Sequence, residues 1–194
     1  MAESRRQKLI DTALALFYRH GIHATGIDRI LEDAGVAKMT LYKHFRSKEA
    51  LIEAALADRS ERFRAWFVQE VERRGRTPRE RLLAVFDIHD SWFGSRDFFG
   101  CPFVNAAAEF AAADDPVHRR AGRHKAEIRR FMAELCRAAG AVDPEALASS
   151  LMILVEGATT VAHVMDHRNA GAEARRAATL LIDHATGGTG AKAA

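Results

Sequence analysis

The sequence predicts an all-α fold of about nine helices, a three-helix N-terminal domain followed by a larger helical domain. Three observations carry that expectation. Apolar residues recur at steps of three and four along almost the whole chain, and no stretch alternates apolar with polar as a strand would. The periodic segments are separated by strong stops and starts: glycines at 21 and 35, and the proline-headed caps Thr77-Pro78-Arg79-Glu80, Asp115-Pro116 and Asp143-Pro144. The composition, 48% hydrophobic and 28% charged over 194 residues, is that of a globular chain with one sizeable core or two smaller ones.

The first helix is expected over 5–21, where Leu9, Ile10, Ala13, Leu14, Leu16 and Phe17 form an apolar stripe that Gly21 ends. Thr25 is the expected N-cap of the second, with Asp28 as an acidic capping-box partner and Ile27, Ile30, Leu31 and Ala34 as its apolar positions. Gly35 can adopt the positive φ of a sharp turn. A helix of about two turns then follows over 38–45, anchored from beneath by Leu41 and Phe45. Its outward side carries Lys38, Thr40, Tyr42, Lys43 and His44, basic and hydrogen-bonding groups on a rod that fits a DNA major groove. This is the sequence form of a helix-turn-helix; taken alone, the segment is also compatible with a helical hairpin of some other all-α domain. Ser47 caps the next helix, and further helices are expected over about 48–73, 78–96, 102–113, 116–139, 143–168 and 171–186. The expected domains are 1–47, 48–186 and a disordered glycine-rich tail, 187–194.

Charge is unevenly placed. The formal net charge of +3 lies wholly within residues 1–50, where nine lysines and arginines face six acidic residues, while residues 51–194 balance. Arg5 and Arg6 are read as an N-terminal arm able to reach phosphates or as a solvated tail. The early apolar residues are periodic and interrupted by Asp11, unlike a signal peptide, and a cytoplasmic location is expected. Cys101 and Cys136 have neither disulfide-framework nor zinc spacing; free buried thiols are expected, with redox sensing at Cys101 the alternative.

The run from 5 to 56 closely resembles the DNA-binding domain of the tetracycline-repressor (TetR) family of bacterial regulators. The resemblance is carried by Ala13, Phe17, Gly21, Thr25, Ile30, Ala34-Gly35-Val36, Thr40-Leu41-Tyr42, His44-Phe45, Lys48 and Leu51. It implies that Thr40 and its helix neighbours face base edges, and that Thr25, Tyr42, His44 and Lys48 hold phosphates. Hydroxyl and ammonium donors suit those roles, and Lys48 opens a helix whose N-terminus already favours anions. Lys38 can reach a guanine, and Lys43 a base or a phosphate. Met39 departs from this chemistry and offers apolar contact, as with a thymine methyl. Asp28, a negative charge beside DNA, is read as a dipole or capping residue.

Residues 63–110 hold both tryptophans and eight of the eleven phenylalanines. That much ring surface suits either a core or an apolar small-molecule pocket, for which Trp66, Phe67, Phe86, His89, Trp92, Phe93, Phe99, Cys101, Phe103, Asn105 and Glu109 are the candidates. Glu156, Thr160 and His163, on the polar side of the 143–168 helix, are either solvated or complete that pocket. This helix is nearly uncharged over 146–165, but Glu156 at its centre argues against a membrane span. Its opposite side, Leu147, Leu151, Leu154, Ala158, Val161 and Met165, forms a narrow seam suited to a dimer, with Ala174, Ala178, Leu181 and Ala185 as a partner stripe. The family resemblance implies that the last two helices build such a four-helix bundle. His163 and His167 stand at i and i+4 without a third ligand, so no metal is expected. No nucleophile-base pair or phosphate loop is visible, so neither a cofactor nor an enzyme is expected.

Taken together, these readings give a ligand-responsive, sequence-specific DNA-binding regulator. It is expected to be a homodimeric repressor that a small, mostly apolar effector releases from a palindromic operator. The alternative is an all-α small-molecule-binding protein or enzyme containing a helix-turn-helix-like hairpin.

Overall fold

The computed structural model describes residues 4–187, and among them the chain forms nine helices and no strand. In order these are α1 (Arg5–His20), α2 (Ile27–Ala34), α3 (Lys38–His44), α4 (Lys48–Arg74), α5 (Pro78–Phe93), α6 (Pro102–Glu109), α7 (Pro116–Ala138), α8 (Pro144–Val164) and α9 (Ala170–Ala185). Apart from Gly187, the expected disordered tail lies outside the described residues.

Caps set most boundaries. Thr77 and Glu80 form a complete capping box around Pro78, and Asp143 accepts from Ala146 N at 3.0 Å. Ser47 Oγ likewise accepts from Ala50 N at 3.2 Å. Several helices end earlier than periodicity suggested: α5 at Phe93, α6 at Glu109 and α8 at Val164, instead of 96, 113 and 168. Helical spacing continues past those ends, but the last residues follow turns instead, with Gly94 N on Asp90 O and Ser95 N on Trp92 O. The cap of α2 is also corrected. Gly26 is the N-cap and no side chain caps it, because Thr25 turns inward and donates Oγ1 to Gly21 O at 2.7 Å.

The chain groups into two compact units, described separately. The first comprises the residues up to Phe63 with Cys101–His124, so the start of α4, all of α6 and the start of α7 group with α1–α3. This differs from a division at 47/48. Its core draws on Leu9, Ile10, Ala13, Ile30, Ala34, Leu41, Leu51 and Ala55, all essentially without exposure. Gly35, at φ 60°, makes the α2–α3 turn, with Gly35 N and Val36 N reaching back to Glu32 O and Leu31 O.

The second unit holds Arg64–Gly100 and the chain from Lys125 onward. Its centre is α5, buried continuously from Leu82 to Phe86 and packed on α8 and α9. Three contacts fix α5 and α9 antiparallel: Arg79 with Asp183 through paired bonds of 2.6 and 2.9 Å, Asp87 with Arg175 at 2.8 Å, and Asp90 accepting from Ala172 N at 3.1 Å. Gly171 is required there, since a Cβ would lie 2.6 Å from Asp90 side-chain atoms.

Candidate DNA-reading face and effector region

On α3, Leu41 is fully buried and Phe45, which caps the helix, is nearly so, which fixes the rotation of the helix about its axis. The other side therefore faces outward. Met39 is 81% exposed and Tyr42 44%, with Lys38, Lys43 and His44 also exposed and Thr40 half-buried. Together with Arg5, the residues Met39, Thr40, Tyr42, Lys43 and His44 line an open concavity of about 540 Å³. The expected arginine arm is absent in that form: Ser4 caps α1, Arg5 and Arg6 are its first helical residues, and Arg6 stacks over the Phe45 ring at 5.3 Å. Lys38 Nζ lies 3.7 Å from Asp28 Oδ1, so part of its charge is already matched.

Two of the expected phosphate holders have other partners. Thr25 is buried and its one hydroxyl hydrogen is given to Gly21 O, so it has no proton for a phosphate. Lys48 Nζ donates to Ile22 O at 2.7 Å, which leaves two further N–H groups on the half-buried ammonium.

The candidate effector residues divide between the units. Trp66, Phe67, Phe86, His89, Trp92, Phe93, Phe99, Glu156, Thr160 and His163 belong to the second; Cys101, Phe103, Asn105 and Glu109 belong to the first. In the second unit, buried His89 is ringed by Phe67, Trp92 and Phe93, with centroids 5.8, 6.1 and 6.2 Å away and steep interplanar angles. Its Nδ1 lies 2.7 Å from Val85 O, which places the ring proton on Nδ1. Burial pushes its pKa below the ordinary imidazole value, so the ring is held neutral. Phe131 and Phe98 extend the cluster, against Phe67 at 6.0 Å and Trp92 at 4.8 Å. Phe98 also meets the exposed His163 at 5.8 Å, and Gly100, with φ 80°, lies so close to that imidazole that a Cβ would stand 2.9 Å from it. Glu156 pairs with Lys125 at 2.6 Å, while Thr160 Oγ1 bonds back to Glu156 O within α8. His167 Nε2 faces Glu173 at 3.1 Å. Phe67, Phe86 and Phe93 are core residues, whereas Trp66 is about half exposed.

Sequence reasoning missed Lys125 and Phe131, whose partners lie far along the chain, so no local pattern marks them.

In the first unit the assignments change. Both carboxylate oxygens of Glu109 accept backbone N–H groups, from Ile22 at 2.8 Å and His23 at 2.6 Å, which orients the carboxylate toward the turn after α1. Asn105 and Glu109 border a hollow of only about 10 Å³, roughly the space of one water. Cys101 and Phe103 are buried. Cys136 is buried as well, and desolvation pushes its thiol up to about 12, which suppresses thiolate chemistry.

The expected dimer seam is also revised. Leu147, Leu151, Ala158, Ala174 and Ala178 are buried within the chain itself, where α8 packs on α9 and α5, so they cannot face a second copy. Leu154, Val161 and Ala185 are half-buried, and Met165 and Leu181 are exposed. The open stripe of α8 runs one row over, through Ser150, Ile153, Gly157, Thr160 and Val164, with Ile153 72% and Val164 74% exposed. On α9 the exposed large apolar residues are Leu180 and Leu181, of which Leu180 is the more open.

A three-helix head with a buried apolar core that displays one short basic helix is the form of a helix-turn-helix DNA-binding regulator. Comparison with known proteins identifies the family. Residues 9–55 match the family model described as bacterial regulatory proteins, tetR family, and residues 78–178 match the tetracycline repressor-like C-terminal domain. The chain belongs to the TetR family of transcriptional regulators, which are regulators and not enzymes. Among solved structures, it is similar to a TetR-family transcriptional regulator from Streptomyces coelicolor, at 30% identity and a TM-score of 0.87, over 94% of this chain and 96% of that one. It is also similar to two regulators of Escherichia coli strain K12. The HTH-type transcriptional repressor ComR is 28% identical, over 78% of this chain and 76% of that protein. The HTH-type transcriptional regulator YjdC is 24% identical, over 79% and 80%.

Proposed function

We propose that the protein is a homodimeric, ligand-responsive repressor that inserts α3 of each subunit into successive major grooves of a palindromic operator. The observation that carries this reading is the outer face of α3, where Met39, Tyr42, Lys43 and His44 are exposed beside Arg5 on a rigidly anchored helix. Thr40 and Met39 are placed to read base edges, the latter through thymine methyls, and Lys38 or Lys43 can reach a guanine. Tyr42, His44, Lys43 and Lys48 are placed to hold phosphates. The repressor sign is supported by ComR, which carries that description.

The dimer would form through the open stripe of α8 and the neighbouring Leu180 of α9. Exposed isoleucine, valine and leucine beside Gly157 form a face apolar enough, and at one point narrow enough, to pack against its own symmetry mate. The helix Pro144–Val164 is long and apolar enough to cross a membrane by length and composition. Its buried row on α5 and α9 and its Lys125–Glu156 pair suit a packed helix of a cytoplasmic regulator instead.

An effector is best accommodated in the second unit around His89, Trp92, Phe98 and Glu156. Aromatic rings, a neutral imidazole and one ion pair there suit a mostly apolar molecule with one or two polar handles. Affinity selection from random duplex DNA tests the primary reading. Enrichment of an inverted repeat with half-sites about one or two helical turns apart is expected, and enrichment of no sequence would refute it.

A further inference from the structure

Buried His89 has one ring nitrogen bonded and one open. Val85 O can only accept, so Nδ1, 2.7 Å away, is the donor in that bond and the neutral ring carries its single proton there. Nε2 is then a bare lone pair. Among the described residues nothing donates to it: Phe67 and Phe93 have no polar side-chain atom, and Trp92 meets the imidazole ring to ring at 6.1 Å. A buried acceptor without a donor is a costly arrangement, and folded chains rarely keep one unless a molecule from outside the chain completes it.

The surroundings of this nitrogen are apolar, partly open and electrically balanced. Phe67 and Phe93 are buried, but Trp92 and Phe98 are half-buried, and His163 beyond them is exposed. Trp92 meets Phe98 at 4.8 Å and Phe98 meets His163 at 5.8 Å, both edge to face, so a row of rings leads from the surface to His89. The charged groups felt at the imidazole are Lys125 and Glu156, whose effects on it oppose each other. They are paired at 2.6 Å, so neither sign of charge is left over for a ligand. An ionised handle would have to break that pair or lie unmatched among the rings, whereas a neutral O–H supplies the one group that Nε2 lacks.

We propose that the effector is an uncharged molecule with an apolar ring and one hydroxyl, phenolic or alcoholic, and that His89 Nε2 accepts the hydrogen bond from that hydroxyl. This rests on the effector region placed around His89 above and gives it a ligand class. An ether of the same shape is disfavoured because it brings Nε2 no hydrogen, and an acid because its charge goes unpaired.

Isothermal titration calorimetry of the full-length protein, without DNA, tests it with three probes built on one apolar body: para-propylphenol, its methyl ether para-propylanisole, and para-propylbenzoate. Wild type should bind the phenol about two- to tenfold more tightly than the ether, the range of one net hydrogen bond, and the benzoate more weakly than the phenol. His89→Phe keeps a ring in place, and in it the preference for the phenol over the ether should disappear. The preference is the readout because a change in packing alone would shift both affinities together. Nitrogen NMR of the wild-type imidazole needs no variant: Nδ1 should stay protonated, and only Nε2 should move when para-propylphenol is added. Equal affinity for phenol and ether in wild type, an undiminished preference in His89→Phe, or a proton on Nε2 in the free protein would overturn the proposal and leave the effector region standing. Binding of none of the three probes to wild type would overturn that region as well, and the regulator reading is judged separately by the selection of DNA.

Discussion

Lys48 is the residue whose two roles can be separated most cleanly, because one depends on salt and the other does not. Its ammonium donates to Ile22 O and has two N–H groups left to meet a phosphate. In the proposed complex the cations counted against phosphates are Arg5 and Lys43 on the α3 concavity, and Lys48; Lys38 is left out because Asp28 stands 3.7 Å from it. Three per subunit give six in a dimer, so log K should fall against log salt with a slope of about −5, on the rule of about −0.9 per neutralised phosphate. Raising salt from about 50 to about 200 mM should then weaken wild-type binding by roughly a thousandfold. Lys48→Ala removes two of the six contacts, which should flatten the slope to about −3.6 and reduce the loss to roughly a hundredfold. Losing the bond to Ile22 O would add a weakening that is the same at every salt concentration, an offset and not a slope. Fluorescence anisotropy on the selected operator across that salt range resolves the two. A variant that binds more weakly with an unchanged slope would show that Lys48 acts only on the turn and touches no phosphate.

Three further outcomes are expected. Thr25→Val keeps the shape of a buried residue but loses the bond to Gly21 O, so it should cost about 0.5–1.5 kcal/mol in urea unfolding while leaving the salt slope intact; a flatter slope would restore a phosphate role. Ile153→Glu and Leu180→Glu, on the open faces of α8 and α9, should yield monomers in sedimentation without loss of helix content. Leu151→Ala, fully buried in the chain, should instead destabilise each subunit by about 2–5 kcal/mol, and persistence of dimers in both glutamate variants would displace the interface from this face. His89 has a folded pKa below its unfolded value, so its contribution to stability is complete above about pH 6.5 and is lost as pH falls below it, where the unfolded ring takes up a proton first. His89→Phe should flatten that part of the stability profile, and an unaltered profile would place the acid sensitivity elsewhere.

The helix-turn-helix and nearly every helix start were legible because their signals are local. A glycine with positive φ, a capping box or a proline at N1 acts within four residues, and Gly35, Thr77 to Glu80 and Asp143 all sit where their chemistry requires. Helix ends were less legible, since periodicity runs on past the last hydrogen bond, as at Gly94 after α5. The dimer seam shows how one correct observation can lead to the wrong partner. Leu147, Leu151 and Ala158 do form an apolar row, but a row of that spacing suits a neighbouring helix of the same chain as well as a second subunit. Only the burial by α5 and α9 tells these apart.

The same distinction governs the polar residues, and it explains why Glu109 and Lys48 were assigned to ligands outside the chain. A carboxylate in an aromatic-rich segment and a lysine at a helix start each advertise unspent hydrogen-bonding capacity, and sequence gives no account of where it is spent. Here each finds backbone groups of one turn, 87 and 26 residues away, whose donors and acceptors would otherwise need water. The turn after α1 satisfies itself only in part: Thr25 serves Gly21 O and Ile22 O, but Ile22 N and His23 N turn to Glu109, and α2 starts only at Ile27 without a side-chain cap. A tight connection of this kind leaves a fixed number of exposed N–H and C=O groups, and polar side chains from packed helices are the means of covering them. The backbone N–H groups of Ile22 and His23, which the turn leaves open, were therefore the readable signal, and the Glu109 carboxylate 87 and 86 residues away is what meets them.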